Sequence, residues 1–221
     1  MIYEAIRKDV CDANRTLEKN ELVFLGRGEV SGIDRERGVV VVKPAAIPHA
    51  DLTPEDMLVL DLSGAIVEGN LLPGPDAITH LHLYQSWTAV NAIASLYSTY
   101  VSMFAQALRP IPCLGATHAA HFKGEIPVTR VLRKPELERS YEKSLAALIL
   151  EKLGRLNPLE VPAALVANHG AMAWGKTLRD AGQKAMAAER LARVAFGTLQ
   201  LAPTIQPIPA MLMDRSFSDH A

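Results

Sequence analysis

Three β-prone runs follow one another in the first third of the chain: ELVFLG at 21–26, RGVVVVKP at 37–44 and MLVLDLSGAIVEG at 57–69. Short runs joined by turns, with no helical crossover between them, predict antiparallel pairing. The third run is broken by Ser63-Gly64, the kind of dipeptide that closes a hairpin. A sheet started this way needs apolar cover on its faces, and the flanking segments supply it. Ile2, Ile6, Val10, Ala13 and Leu17 recur every three or four residues, so 1–19 reads as an amphipathic helix lying against the sheet.

Further along, Asp76 is placed to cap a helix through AITHLHLYQSW. Residues 92–98 read as strand, 99–108 as helix and IPVTRV (126–131) as strand. Two long helical patterns follow, near 136–154 and 177–200, with AALVANHG as a buried strand between them, and Pro-rich APTIQPIP (202–209) closes the ordered part. With no repeat period, the pattern predicts one domain over 1–221. Its class is α/β, a three-layer α/β/α arrangement in which helices cover both faces of a central, largely antiparallel sheet.

Hydrophobic residues make up 49% of the 221, enough for one substantial core. The formal net charge is −1 with Lys and Arg dispersed, which offers no stripe for nucleic acid and no polybasic flank for a membrane. No apolar run approaches the roughly 20 residues that span a bilayer, and the first residues lack a leader pattern, so a cytoplasmic protein is expected. Cys11 and Cys113 are far apart in apolar settings and read as reduced packing thiols.

GAMAWGKT, Gly170 to Thr177, satisfies the phosphate-loop pattern. Its conceivable magnesium partner, Asp61, precedes it by over a hundred residues, and fewer than fifty remain after it to complete a parallel sheet. It is read instead as a strand-to-helix turn with Lys176 in solvent. GRGEVSG lacks the third glycine of a dinucleotide site.

The segments ANRTLEKNELV, GIDRERGVVVVKP, LTPEDMLVLDL, THLHLY, MFAQALRPIPCLG, THAAHF, GEIPVTR and NHGAMAWGK occur in this order over nearly the whole chain. In them the sequence resembles the class II aldolase and epimerase family. That resemblance implies a fourfold homotetramer, a small-molecule site near the subunit interface, and a zinc ion that stabilises the anionic intermediate of carbon–carbon bond cleavage.

At the corner ASLYS, relatives carry two histidines at i and i+2; here the positions are Ser95 and Tyr97. The remaining ligand positions align with Asp76 and His169. A serine hydroxyl and a neutral phenol are poor substitutes for imidazole on zinc, so no metal and no other cofactor is expected. Around the same pocket the family's phosphate donors give way to Glu29, Ala45, Ala46, Gly74 and Pro75, and its acid/base aspartate to Ala120.

These replacements, with Ala77, Leu96, Ala116, Ala171 and Met172, imply a larger, more apolar pocket for a small molecule. Glu29, Tyr97 and His169 are then its polar lining and candidate catalytic groups. Glu29 reads as a desolvated general base or as a glutamate paired with Arg27. His49, His118, His121 and His169 are candidate partners for Ser95, Tyr97 or Cys113, whereas His80 and His82 share no helix face. Because the changes fall on every functional subset and spare the scaffold between, they imply deliberate remodelling of the site, engineered or designed, rather than drift. A residual metal-dependent sugar-phosphate enzyme and a tetramer without chemistry are the alternative readings.

Overall fold

Val39–Val42 is buried on both faces: Val40 and Val42 enter one apolar cluster, Val39 and Val41 another. A strand flanked by core on both sides sits inside a sheet covered by two layers, and the rest of the chain provides them. The computed structural model of the protein describes residues 3–219. The strands are β1 (Glu29–Asp34), β2 (Val39–Val42), β3 (Leu58–Asp61), β4 (Ile66–Glu68), β5 (Ala92–Leu96), β6 (Ala163–Val166) and β7 (Gly170–Gly175). They form one sheet in the order β4-β3-β2-β1-β5-β7-β6, with every neighbouring pair antiparallel.

The helices are α1 (Glu4–Lys19), α2 (Ala77–Ser86), α3 (Thr99–Gln106), α4 (Ala116–Ala119), α5 (Lys134–Arg139), α6 (Tyr141–Leu153), α7 (Leu178–Leu201) and α8 (Ala210–Ser218). Leu17, Val101, Phe104, Ala185 and Ala192, from α1, α3 and α7, pack on one face against Val30, Ala94 and Ala173. Leu81, Leu83, Leu145 and Ile149, from α2 and α6, cover the other against Ile93, Met172 and Trp174. This is the three-layer arrangement that the strand and helix patterns predict.

Several local expectations are corrected. ELVFLG is a turn, not a strand: Phe24 and Arg27 exchange two backbone hydrogen bonds of 2.9 Å around Leu25 and Gly26, both at positive φ. The strand begins three residues later, inside GRGEVSG. IPVTRV makes only isolated bridges, Ile126 to Ile111 and Val128 to Leu165, since Pro127 has no N–H to give a ladder. The pattern near 136–154 is two helices, because Ser140 is extended at φ −166°. GAMAWG is a fully buried strand rather than a turn, and Thr177 caps α7 by accepting a hydrogen bond from the Asp180 N–H. The Pro-rich segment is followed by α8 rather than ending the ordered chain. Met1 and Ile2, part of the predicted first helix, lie outside the described residues. No helix among the described residues is long and apolar enough to cross a membrane.

A polar seam runs under α2. Glu29 pairs with Ser95 and Ser95 with Met172, so these three side chains form one row on the α2 face, and Ser31, Ile93 and Trp174 form the next. His80 of α2 is fully buried above this seam, with Nδ1 2.9 Å from Ser31 Oγ and Nε2 2.8 Å from Ser95 Oγ. The Tyr84 hydroxyl donates to the Ser31 carbonyl at 2.9 Å. Both ring nitrogens are satisfied, so a buried imidazole is tolerated in its neutral form.

Burial pushes His80 down to about 4, against the pull of the Asp76 charge, and burial likewise pushes His118 down to about 4. Between pH 6.5 and 4 the unfolded chain therefore binds protons that the folded chain refuses, and stability falls as the pH drops through that window. Each histidine contributes on the order of 3 kcal/mol to this loss at its full extent. Urea titrations at pH 7, 5.5 and 4.5 should show the decline, and His80→Gln should make it shallower while lowering stability at pH 7.

Candidate functional site

The end of the sheet at which β1 starts and β5 finishes gathers the residues singled out from the sequence. Side chains alternate along β5, so Ile93, Ser95 and Tyr97 point to the same side, and Tyr97 continues the row just beyond the strand. The β6–β7 turn brings His169 over it: Asn168 takes a positive φ of 59°, and the His169 N–H donates to the Val166 carbonyl at 3.0 Å. Gly170 is required for this approach, because a Cβ there would overlap the Leu96 carbonyl oxygen. From α2, Asp76 reaches the same point.

The Tyr97 hydroxyl is the hub. It lies 3.0 Å from both Asp76 carboxylate oxygens, 2.7 Å from His169 Nε2 and 3.2 Å from the Arg27 guanidinium, which also covers its ring at 4.6 Å. One proton arrangement satisfies every group: the phenol donates to Asp76 and accepts from Arg27 and from His169 Nε2–H, while His169 Nδ1 accepts from the Tyr141 hydroxyl 2.9 Å away. Burial and the neighbouring Asp76 charge push the phenol far up, so Tyr97 keeps its proton at neutral pH. For Asp76, burial acts upward but is outweighed by the neighbouring His169 and His80 rings and by the hydrogen bond from the Tyr97 phenol, and the carboxyl lies below its ordinary range.

Beside this hub is a cavity of about 240 Å³, lined by Leu25, Gly26, Arg27, Gly28, Glu29, Lys43, Ala45, Gly74, Pro75 and Asp76. Four of those ten carry charge, so the expected apolar cavity is corrected: β1, β2 and α2 deliver Glu29, Lys43 and Asp76 to one point, a convergence that no single segment announces. A larger space of about 660 Å³ between α1 and α7 holds none of the candidate residues.

Glu29 is 4% exposed, and its Oε1 has no hydrogen-bond partner among the described residues. Burial, reinforced by the Asp76 charge and only partly offset by Lys43, raises it well above the ordinary carboxylate range. It does not pair with Arg27, which is committed to Tyr97. The carboxyl fits because position 74 is glycine; a Cβ there would overlap Glu29 Oε2. Lys43, also 4% exposed, donates among the described residues to the Pro44 carbonyl alone, at 2.9 Å. Burial pulls its ammonium down, against the upward pull of Glu29.

The other candidates fall as follows. Ala45 lines the cavity, and Ala46 lines the adjoining one with His49, whose Nε2 meets the Gly28 carbonyl at 2.8 Å. Ser95 is buried on His80 and does not line the cavity; Met172, Leu96 and Ala171 are core residues. Ala120 ends α4, near His118, which stands edge-on to Phe122. Cys113 is buried with its thiol 3.9 Å from the Gly115 carbonyl. Of the histidine pairings considered, the one seen among the described residues is His169 with Tyr97. Nothing in the sequence assigned Lys43 or Tyr141 to the site, Arg27 was expected there only as a partner of Glu29, and His80 was set aside. For His80 a signal existed, since Asp76 and His80 stand at i and i+4 of one helix.

Gly74→Ala should force the Glu29 carboxyl to move and cost about 1–3 kcal/mol. Adding Glu29→Ala should recover most of that loss, and a double-mutant cycle by chemical denaturation measures the coupling.

Residues 8–196 match the family model described as Class II Aldolase and Adducin N-terminal domain. The chain is 40% identical over 214 residues to the L-ribulose-5-phosphate 4-epimerase UlaF of Salmonella paratyphi B, covering 97% of this chain and 94% of that protein. The UlaF of Salmonella choleraesuis is 39% identical over the same shares. Among solved structures, an L-fuculose 1-phosphate aldolase superposes with a TM-score of 0.82 at 21% identity, over 97% of this chain and 95% of the other. YgbL of Escherichia coli does so at 0.78 and 19%, over 98% and 100%. At those identities the two structures speak to the fold alone. With the matching family model and the curated relatives spanning almost its full length, the chain belongs to the class II aldolase and adducin N-terminal domain family.

Proposed function

We propose that this protein uses the scaffold of an L-ribulose-5-phosphate 4-epimerase for a metal-independent pocket that binds a small polar molecule and moves protons on it. The observation that carries this reading is the position of the Tyr97 hydroxyl, within 2.7–3.2 Å of His169, Asp76 and Arg27. In the zinc-dependent members that the sequence resembles, Asp76 and His169 would be joined on the metal by imidazoles at positions 95 and 97. Here the phenol engages both remaining groups, and Ser95 Oγ is turned to His80 at 2.8 Å. Among the described residues no cluster of three or more His, Cys, Asp or Glu is placed to hold an ion. A protonated phenol and a serine hydroxyl do not complete a zinc donor set.

What the arrangement does offer is acid–base chemistry. Arg27 supplies N–H groups where negative charge can develop on a bound carbonyl, and Asp76 accepts a proton through the phenol, whose O–H passes to the carboxylate as its oxygen takes up a proton from the bound molecule. The pocket changes fall together on metal, phosphate and acid/base positions while the core remains whole, which supports remodelling of an inherited site, by design or by selection. A second reading, a zinc-dependent sugar-phosphate epimerase, is favoured by the 40% identity to UlaF and by the retention of Asp76 and His169.

Dialysis against zinc followed by elemental analysis separates the two. The expected result is well below one equivalent per chain, with Ser95→His combined with Tyr97→His restoring about one. Stoichiometric zinc in the unaltered chain, with turnover of L-ribulose 5-phosphate, would sink the metal-independent reading.

We also propose that the chain is a homotetramer with the pocket close to a subunit boundary. Val194 (62% exposed) and Leu201 (90%) on α7, with Met211 (83%) on α8, leave apolar surface that such an interface would cover. Light scattering should give about four times the 24.0 kDa of one chain. Leu201→Glu combined with Met211→Glu should shift that mass downward.

A further inference from the structure

Two buried ionisable side chains lining the cavity lack, among the described residues, the full set of partners that burial demands. Glu29 is 4% exposed with Oε1 unpartnered, and Lys43, equally buried, has a single carbonyl as acceptor for its three N–H groups. Both line the same cavity of about 240 Å³, yet among the described residues no salt bridge joins them. The backbone explains why. Glu29 is drawn into the space that a side chain at 74 would fill, and Lys43 is folded back on Pro44. A buried acid and a buried base facing one small space, each under-satisfied, are complementary to a molecule that carries both charges.

We propose that this cavity is a recognition site for a small dipolar amino compound, of the amino-acid class, its ammonium held by Glu29 with Asp76 and its carboxylate by Lys43. The placement of the acids supports that orientation: Glu29 and Asp76 both line the cavity, with the Glu29 carboxyl lying against Gly74, two residues before Asp76. The volume limits the size, since 240 Å³ is the share of about eight liquid waters. It also lies below the usual range of about 300–1,000 Å³ for drug-sized ligands. A compound with few carbons between its two charges fits, and a bulky side chain does not. Binding would satisfy Oε1 of Glu29 and the unused Lys43 donors together, whereas a singly charged ligand satisfies one and leaves the other buried without a partner.

The proposal deepens the metal-independent reading of the same pocket, and titration calorimetry in the presence of a chelator keeps the two separable. The probes are glycine, β-alanine and γ-aminobutyrate, with methylammonium, acetate and inorganic phosphate as singly charged or purely anionic comparators. The expected result is saturable binding of at least one of the three dipolar probes, tighter by about ten-fold or more than either methylammonium or acetate. Glu29→Gln and Lys43→Gln should each weaken that binding by about ten-fold or more, with Lys43→Arg retaining part of it. A thermal transition measured for each variant shows that the fold is intact.

Absence of binding by all three dipolar probes overturns the proposal. So does equal binding of the singly charged compounds, a preference for phosphate, or an affinity that Glu29→Gln leaves unchanged. A chain that takes up stoichiometric zinc yet binds the dipolar probe through Glu29 and Lys43 would overturn the metal-independent reading and leave this one standing.

Discussion

The central constraint on this molecule is the pairing of β5 with β1 on one side and β7 on the other, under helices on both faces. A strand in that position has no edge and no wet face, so every side chain it carries is read out in a medium of low polarity. Ile93 and Ala94 meet this condition by packing. Ser95 and Tyr97 meet it by hydrogen bonding, and the groups that satisfy them, His80, Asp76 and His169, are fixed by the register of the sheet. A slip of one residue would send this row to the opposite layer, among Ala185, Leu191 and Ala192.

Two polar networks with different degrees of completion share that end of the sheet. The one built on His80, Ser31, Ser95 and Tyr84 is closed, with each ring nitrogen and hydroxyl in contact with another, and it behaves as part of the core. The one around Tyr97 is closed among protein groups but opens on the cavity through Asp76 and Arg27. Glu29 is the exception to both. An unsatisfied buried polar atom costs about 1–3 kcal/mol. The chain carries that cost at the Glu29 carboxyl, as it does at other buried atoms such as His49 Nδ1 and His118 Nε2, and here it falls in a small cavity where acid and base converge; Gly74 is the structural concession that lets the carboxyl lie there. Closed networks make stable cores; an open one is an invitation to a ligand.

On the metal-independent reading proposed for this site, its chemistry departs from the family likeness, and the reason is local. Scaffold segments such as GIDRERGVVVVKP and LTPEDMLVLDL build β2 and β3, and apart from Lys43, which reaches the cavity, they serve the fold through packing and turns. The changed positions that line the cavity, Glu29, Ala45, Gly74 and Pro75, lie at the start of a strand, just after one, or just before a helix. Substitutions there alter what the pocket recognises without disturbing the sheet. Fold is therefore a poor guide to reaction at this site, and the arrangement of Tyr97, Asp76 and His169 is a better one.

From the sequence alone, the alternation and turn spacing of 37–69 determined an antiparallel sheet, and the three-and-four periodicity of 1–19 and 177–200 determined the helices that cover it. These are local patterns, set by the period of each element and the faces it must bury. The run of segments shared with class II aldolases pointed to the pocket, and Ser95 and Tyr97 were legible there as departures from the family's metal site, beside the retained positions Asp76 and His169. GAMAWG was not legible as a strand: its small residues and glycines look like a loop until β5 and β6 close on both sides of it and pack Trp174 against Trp87 at 4.7 Å. Nor were the charged lining, the pairing of Ser95 with His80, or the fit of Glu29 against Gly74. Those depend on atoms brought together from β1, β2, α2 and β5, and no sequence period reports a distance between elements that only tertiary packing sets.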